Sequence, residues 1–401
     1  MNIEIPGMAL DRAAPWNAGR RGMNVAKDVD LCRPNSQARD YSLTGDSAKH
    51  AIEAGLVAAE WYHTDVPRKV LKQLMRRRDG PAMRDTALWI VLHLLFATGG
   101  IYFWGSWVAV PFWLAYGVIY GSACDSRWHE CGHGTAFRTR WMNDVVYQVA
   151  SFQVMRNPVN WRWSHARHHT DTIIVGRDVE ISWVLPIQLG RKVLAYFGVV
   201  EVWKSLRVLI RNSLGYLSPD EMNYIPESKW PKAIFWARIH VLIYAATTLV
   251  ALGMMFTGMG LKSTIPFLLI GGPRAYGCWH MVMTGLLQHG GLAENVLDHR
   301  LNSRTFYLNP IGRWIYWNMN YHVEHHMFPM VPYYSIQKLH EIIKHDLPKP
   351  NPSLFAANKE MILAVMRQRR EPGYFVRKEL PPTAKPYLEA LHKTVPERTI
   401  G

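Results

Sequence analysis

The sequence predicts an all-α integral membrane protein with four transmembrane helices and a cytosolic helical cap. Three observations carry this prediction. The stretch Thr86 to Cys124 is 39 residues long and has no formal charge; a second uncharged stretch runs from Ile239 to Leu261; and three clusters of histidine fall in segments that a four-span topology places on one face of the membrane.

Residues 1–85 come first, as a cytosolic N-terminal portion. Positions 1–45 are rich in Asn, Arg, Asp and Gly without a clear period and read as a flexible arm, with no apolar leader behind a basic start. Positions 46–78 read as helical. Seven cations, Arg68, Lys69, Lys72, Arg76, Arg77, Arg78 and Arg84, lie just before the first uncharged run, which puts the N-terminus in the cytosol. A single span needs about 20 apolar residues. The first run is therefore two spans, 86–104 and 106–124, broken near Gly105-Ser106.

The chain then stays on the cytosolic side over 125–238. Within it, Val184–Ile210 mixes apolar residues with Arg191, Lys192, Lys204 and Arg207, which suits either a helix lying in the membrane interface or an ordinary amphipathic helix. Residues 239–261 make the third span and 264–288 the fourth. The fourth is weakened by Arg274, which either meets a polar group deep in the protein or marks a span displaced by a few residues. The membrane domain with its cap covers 86–345, and 346–401 is a cytosolic C-terminal tail. No internal repeat or low-complexity tract is present.

Composition agrees. Forty-six Lys and Arg against 31 Asp and Glu give a formal charge of +15. That excess suits nucleic acid or an anionic membrane surface, and the long uncharged runs decide for the membrane. Seventeen Trp and 18 Tyr fit a bilayer interface. The cysteines Cys32, Cys124, Cys131 and Cys278 form no CxxC pair, so a disulfide framework is not expected.

The histidines carry the chemistry. His129-Glu130-Cys131-Gly132-His133 is an HxxxH; His165-Ala166-Arg167-His168-His169 and His322-Val323-Glu324-His325-His326 are each HxxHH. Positions i, i+3 and i+4 share a helix face, so each cluster aims two or three imidazoles at one point. Imidazole suits Fe, Zn, Cu and Ni, and eight histidines exceed what one ion needs. A ninth, His289, lies where the fourth span exits. His280 and His299 are weaker competitors, the first inside the bilayer and the second in a polar loop. Glu130, Asp171, Asp178 and Glu324 are placed to orient imidazoles or to be ordinary solvated charges.

The segments Trp128–Phe137, Ser164–Thr172 and Asn320–Pro329 resemble the three histidine boxes of the membrane fatty-acid desaturase superfamily, with matching order and spacing over roughly residues 85–345. The resemblance implies a non-haem di-iron centre ligated by His129, His133, His165, His168, His169, His289, His322, His325 and His326. It further implies two Fe, O2 as co-substrate, and electrons from NAD(P)H relayed by a carrier such as a ferredoxin, a rubredoxin or a cytochrome b5-like protein with its reductase. No His-Pro-Gly-Gly haem motif is present, so that carrier is expected to be a separate protein. The location implied is a bacterial inner membrane or the endoplasmic reticulum, and no nucleic acid partner is expected.

Two rivals explain less. The first box also reads H-E-x-x-H, a zinc protease signature with Glu130 as base, but this leaves both HxxHH clusters idle. A transporter would put its ligands at the bilayer midplane, whereas these clusters lie outside the spans. Within the family, insertion of a carbon–carbon double bond into a fatty acyl chain or similar amphiphile is the expected reaction. Hydroxylation of an alkyl chain or other apolar metabolite is the alternative, because both begin with removal of hydrogen from an unactivated C–H bond.

Overall fold

A computed structural model describes residues 39–185 and 187–388. The reading of 1–38 as an arm, and the end of the C-terminal tail, lie outside the described residues. Apart from two isolated bridges, Thr305 to Tyr321 and Phe306 to Asn351, regular structure there is entirely helical.

The region 46–78, read as helical from the sequence, is helical only in part. It holds two short helices, α1 (Asp46–Glu53) and α2 (Arg68–Leu74), separated by a non-helical stretch. Gly55 takes φ +72° and Pro67 precedes α2, so neither end of the gap can continue a helix.

Next come α3 (Asp79–Tyr102) and α4 (Ala109–Gly121), which fold back on each other, with Trp89 Nε1 donating to Ile119 O at 2.9 Å. After them follow α5 (Ala123–Gly132), α6 (Arg140–Gln153), α7 (Pro158–Thr170), α8 (Leu189–Ala195), α9 (Val199–Ser213) and α10 (Pro219–Tyr224). The long α11 (Trp230–Phe256) leads into α12 (Ile265–Leu269), α13 (Pro273–Tyr276) and α14 (Trp279–His289). The remainder contains α15 (His299–Asn302), α16 (Pro310–Ile315), α17 (His322–Met327), α18 (Tyr333–Ile343) and α19 (Leu354–Gln368).

Among the described residues, two stretches, Arg68–Tyr102 and Glu227–Phe256, are long and apolar enough to cross a membrane. Only 17% of the most apolar window in each is buried, which a soluble core helix would not tolerate. Leu94, Leu95, Tyr102, Leu249, Val250 and Phe256 stand exposed along them.

The second and fourth predicted spans are not single long helices. α4 has 13 residues and is followed at Ser122 by α5; 264–288 is divided among a 3-10 turn and α12, α13 and α14. Gly271, at φ +81°, together with Gly272 and Pro273 breaks the second of these. The two broken segments pack against each other at backbone contact. A Cβ on Gly277 would lie 1.9 Å from Gly117 O, so only glycine permits the approach. Arg274 sits at this junction, 2% exposed.

Within 184–210, Val193, Leu194, Phe197, Val199 and Trp203 are exposed together with Arg191 and Arg207, Lys192, Glu201 and Lys204 are partly covered, and Ala195 and Leu209 are buried.

Below the histidine clusters sits an aromatic core of Trp89, Trp128, Tyr147, Trp161, Trp317 and Tyr333. Arg127, fully buried, ties the first box to the segment before the third: its guanidinium donates to Ile315 O at 2.6 Å and lies over Trp314 and Trp317.

Candidate metal centre

The helices that carry the histidines end at one place. In α5, His129 lies one turn before the C-cap His133. α7 starts at Asn157, whose side chain accepts from Val159 N at 3.0 Å, with Pro158 in the first turn; that start sets the rotation of His165, His168 and His169. α14 ends on His289, before Gly290 and Gly291. α17 is a six-residue helix, and its third-box segment is held by Asn320 Nδ2 donating to Phe306 O at 2.7 Å.

All nine predicted histidines gather here, in two groups. His129, His133, His165, His169 and His325 form one; His168, His289, His322 and His326 form the other; within each, one ring nitrogen from every residue lies within 4.8 Å of those of the others. The groups adjoin, with His169 stacked on His326 at 4.5 Å between centroids. His280 and His299 belong to neither group. His299 stacks on Trp61 and lies beside His326, while His280 is buried next to Trp279.

The donor set fits a metal. Five Nε2–Nε2 separations fall between 3.0 and 3.2 Å: His133–His165, His165–His169, His169–His325, His289–His322 and His322–His326. Metal–imidazole bonds of ~2.1 Å at right angles place neighbouring nitrogens ~3.0 Å apart. Both ring nitrogens of His129 are buried and lack a hydrogen-bond partner among the described residues, a costly state that a bound ion would relieve.

Several opposite ring nitrogens are held in place. His165 Nδ1 faces Glu180 Oε2 at 2.9 Å, His168 Nδ1 faces Asp178 Oδ2 at 2.8 Å, and His289 Nδ1 faces Asn302 O at 2.7 Å. His326 Nδ1 is 3.3 Å from Thr172 Oγ1. Such contacts fix the tautomer and turn Nε2 toward the centre. Of the four carboxylates singled out from sequence, only Asp178 hydrogen-bonds a clustered histidine. Glu130 lies 4.0 Å from His325 Nδ1 and accepts from Thr135 and Tyr333. Asp171 pairs with Arg177, and Glu324 pairs with His340 while accepting from Thr305. Sequence reasoning missed Glu180, Thr172 and the Asn302 carbonyl; the pair Asp178-x-Glu180 just beyond the second box was the available signal.

Burial, and then the charge that neighbouring rings would carry, hold His129, His133, His169, His322, His325 and His326 well below the ordinary value of 6.5. His168 goes the other way, because Asp178 outweighs its burial. The six depressed rings set a pH dependence for the metal-free protein. As pH falls below about 6.5, the unfolded chain binds protons that the folded cluster refuses, so stability falls with pH. Melting of chelator-treated protein in detergent at about pH 7.5 and about pH 5.5 checks this; equal midpoints would contradict it.

A cavity of about 860 Å³ opens onto both groups, reaching His129, His165, His168, His289 and His322. Trp128, Trp161, Met281 and Leu286 line part of it, and Asp125, Arg156, Glu201 and Arg274 also line it.

Comparison with known proteins gives a consistent result. The chain is 23% identical to a fatty acid conjugase of Calendula officinalis over 264 residues, covering 58% of this chain and 67% of that protein. It is 29% identical to a Delta(12) fatty acid desaturase of Caenorhabditis elegans over 121 residues, covering 29% and 32%. It is 22% identical to an acyl-lipid (8-3)-desaturase of Thraustochytrium over 358 residues, covering 81% and 74%. The model of the fatty acid desaturase family matches residues 105–358, a span that contains all nine clustered histidines. With well over half of its length matched by that model, this helical chain belongs to the fatty acid desaturase family.

Proposed function

We propose that the protein is an O2-dependent, non-haem di-iron oxidoreductase of the membrane that introduces a carbon–carbon double bond into a fatty acyl chain or similar amphiphilic substrate. The observation that carries this reading is the pair of adjoining histidine groups opening onto one cavity. His129, His133, His165, His169 and His325 would hold one iron, and His168, His289, His322 and His326 the other. Bound there, the irons supply activation of O2 with electrons from NAD(P)H, delivered by a separate carrier protein.

The chain's own residues do the rest. Glu180, Asp178 and the Asn302 carbonyl keep Nδ1 of His165, His168 and His289 occupied, so that Nε2 stays free to ligate. Trp128 and Trp161, stacked on each other, form an apolar wall beside His165, where a carbon chain can be held in register. Fixing two adjacent C–H bonds at similar distance from the centre is a positioning task, and positioning is where such an enzyme gains most. The test is the product: lighter than substrate by two hydrogens, formed only with O2 and a reducing partner. A main product heavier by one oxygen, labelled from ¹⁸O2, would make the enzyme a hydroxylase.

The four-span topology with a cytosolic cap belongs to the same proposal. Segments 125–238 and 289–388 both contribute to one site, so an even number of crossings separates them; α11 and the α12–α14 segment supply two. Reporters fused at both termini and near residue 220 are expected on the cytosolic side. A residue-220 reporter on the far side would end the topology and, with it, the single site.

A further inference from the structure

A carrier protein cannot follow a substrate into a cavity of about 860 Å³. Electrons for the histidine groups therefore need a route on the side of the rings that the cavity does not reach. Among the described residues, His133, His169 and His325 of the first group and His326 of the second do not line it. Behind His326 stands a short ladder of rings. His299 lies beside it, with centroids 5.1 Å apart, and Trp61 stacks on His299 at 4.3 Å with only 5° between the planes. His299 is 2% exposed and belongs to neither histidine group. Trp61 is half-buried, and its neighbours Glu60, His63 and Thr170 are exposed, so the ladder ends at the protein surface.

The same tryptophan reaches the other group. Its Nε1 donates to Thr170 O at 3.1 Å, and Thr170 follows His169 directly in the chain. Tyr62 N donates to Leu297 O at 2.9 Å, which pins this stretch to the segment that carries His299. One surface side chain is thus joined to the second group by ring contacts and to the first by a hydrogen bond and a peptide link. Stacked aromatic pairs are favourable in themselves, but packing alone does not call for a ladder that runs from the surface to a clustered histidine. Electron tunnelling does: its probability falls steeply with every gap through space, and rings in contact keep the gaps short. Neither Trp61 nor His299 lines the cavity, so the ladder is separate from the place where a substrate lies.

We infer that Trp61 and His299 are the electron entry of the centre, and that a one-electron carrier protein docks over Trp61. This inference rests on the proposed function for the presence of the metal and deepens it by placing the electron donor. Each transfer moves one electron. The carrier is oxidised by one, the metal site is reduced by one, and no bond forms or breaks. Trp61 and His299 are positioning residues, since neither meets the substrate cavity or belongs to the ligand groups.

The test compares two kinds of reductant on the full metal-loaded chain in detergent, without O2 or substrate, by following loss of the ferric signal. The protein probes are pre-reduced [2Fe–2S] ferredoxin, rubredoxin and soluble cytochrome b5, and the one that reduces the wild type fastest is carried forward. The small probe is dithionite, which can enter through the cavity. Trp61→Leu is expected to slow reduction by the carrier about tenfold or more, with metal content and the dithionite rate unchanged. Trp61→Phe keeps a ring on His299 and is expected to retain part of the rate. His299→Leu is expected to behave as Trp61→Leu; if it loses metal, the Trp61 pair decides. A second readout needs no metal. In chelator-treated protein, hydrogen exchange over residues 58–63 is expected to slow when the carrier is added. Reduction of the wild type by none of the carriers, an undiminished carrier rate in Trp61→Leu, equal slowing with dithionite, Trp61→Phe no faster than Trp61→Leu, or no protection over 58–63 would each overturn the inference. A wild-type chain that never takes up iron yet shows carrier protection over 58–63 would instead sink the proposed function, so the two failures are told apart.

Discussion

Replacement of His165 by alanine is expected to lower iron from about two per chain, one for each histidine group, to one or none and to abolish turnover. His165 is the most connected ring in its group. Its Nε2 lies 3.1 Å from that of His133 and 3.2 Å from that of His169, and its Nδ1 is held by Glu180. Removing the ring opens a gap toward the cavity, so water enters where a ligand stood and the other four nitrogens lose their convergence. Arg162→Ala is the control, because Arg162 lies in the same helix, and its contacts are an exposed ion pair with Asp144 and a cation–π contact over Tyr147. That change is expected to leave iron and turnover intact, since an exposed pair is worth ~0–1 kcal/mol and an exposed cation–π contact ~0.5–1 kcal/mol. Metal analysis and product formation on the two variants give the answer. Full iron and full turnover in His165→Ala, or stoichiometric zinc with full activity in the wild type, would refute the di-iron reading.

Glu180→Gln and Glu324→Gln are expected to separate two roles that the sequence does not distinguish. Glu180 faces a clustered histidine, and a lost carboxylate behind such a ring typically costs 10–100-fold in metal affinity. Glu324 sits inside the third box between His322 and His325, yet it serves His340 and Thr305. Its replacement leaves a buried hydrogen-bond network short of a charge and is expected to cost ~1–3 kcal/mol of stability, with the metal affinity of the folded protein unchanged. Metal competition titrations alongside thermal melts would reveal the difference. Equal loss of metal affinity in both variants would mean that the observed partners do not govern the rings.

The sequence determined by itself what depends on neighbours along the chain. Histidines at i, i+3 and i+4 share a helix face whatever the helix packs against, so His129 with His133, and His165 with His168 and His169, announced convergent imidazoles before any fold was known. Hydropathy is likewise local, and α3 and α11 were legible as long apolar helices for that reason. Only the tertiary structure decided how the boxes are divided. The second box is split, with His165 and His169 in one group and His168 in the other; the third sends His325 to the first group and His322 and His326 to the second. That division depends on how α5, α7, α14 and α17 cross, and helix crossing is set by side chains distant in sequence.

The same holds for the residues behind the rings. Thr172, Glu180 and the Asn302 carbonyl reach their histidines through loops whose course no periodicity encodes, while Glu130, Asp171 and Glu324, adjacent in sequence, turn to Thr135, Arg177 and His340 instead. Arg274 makes the contrast sharpest. A hydropathy window sees a charge in a span and leaves two readings open. The structure buries it, because the glycines at 117, 121 and 277 let two backbones close over a guanidinium that faces the cavity, and close approach between distant segments is a property that no single stretch of sequence contains.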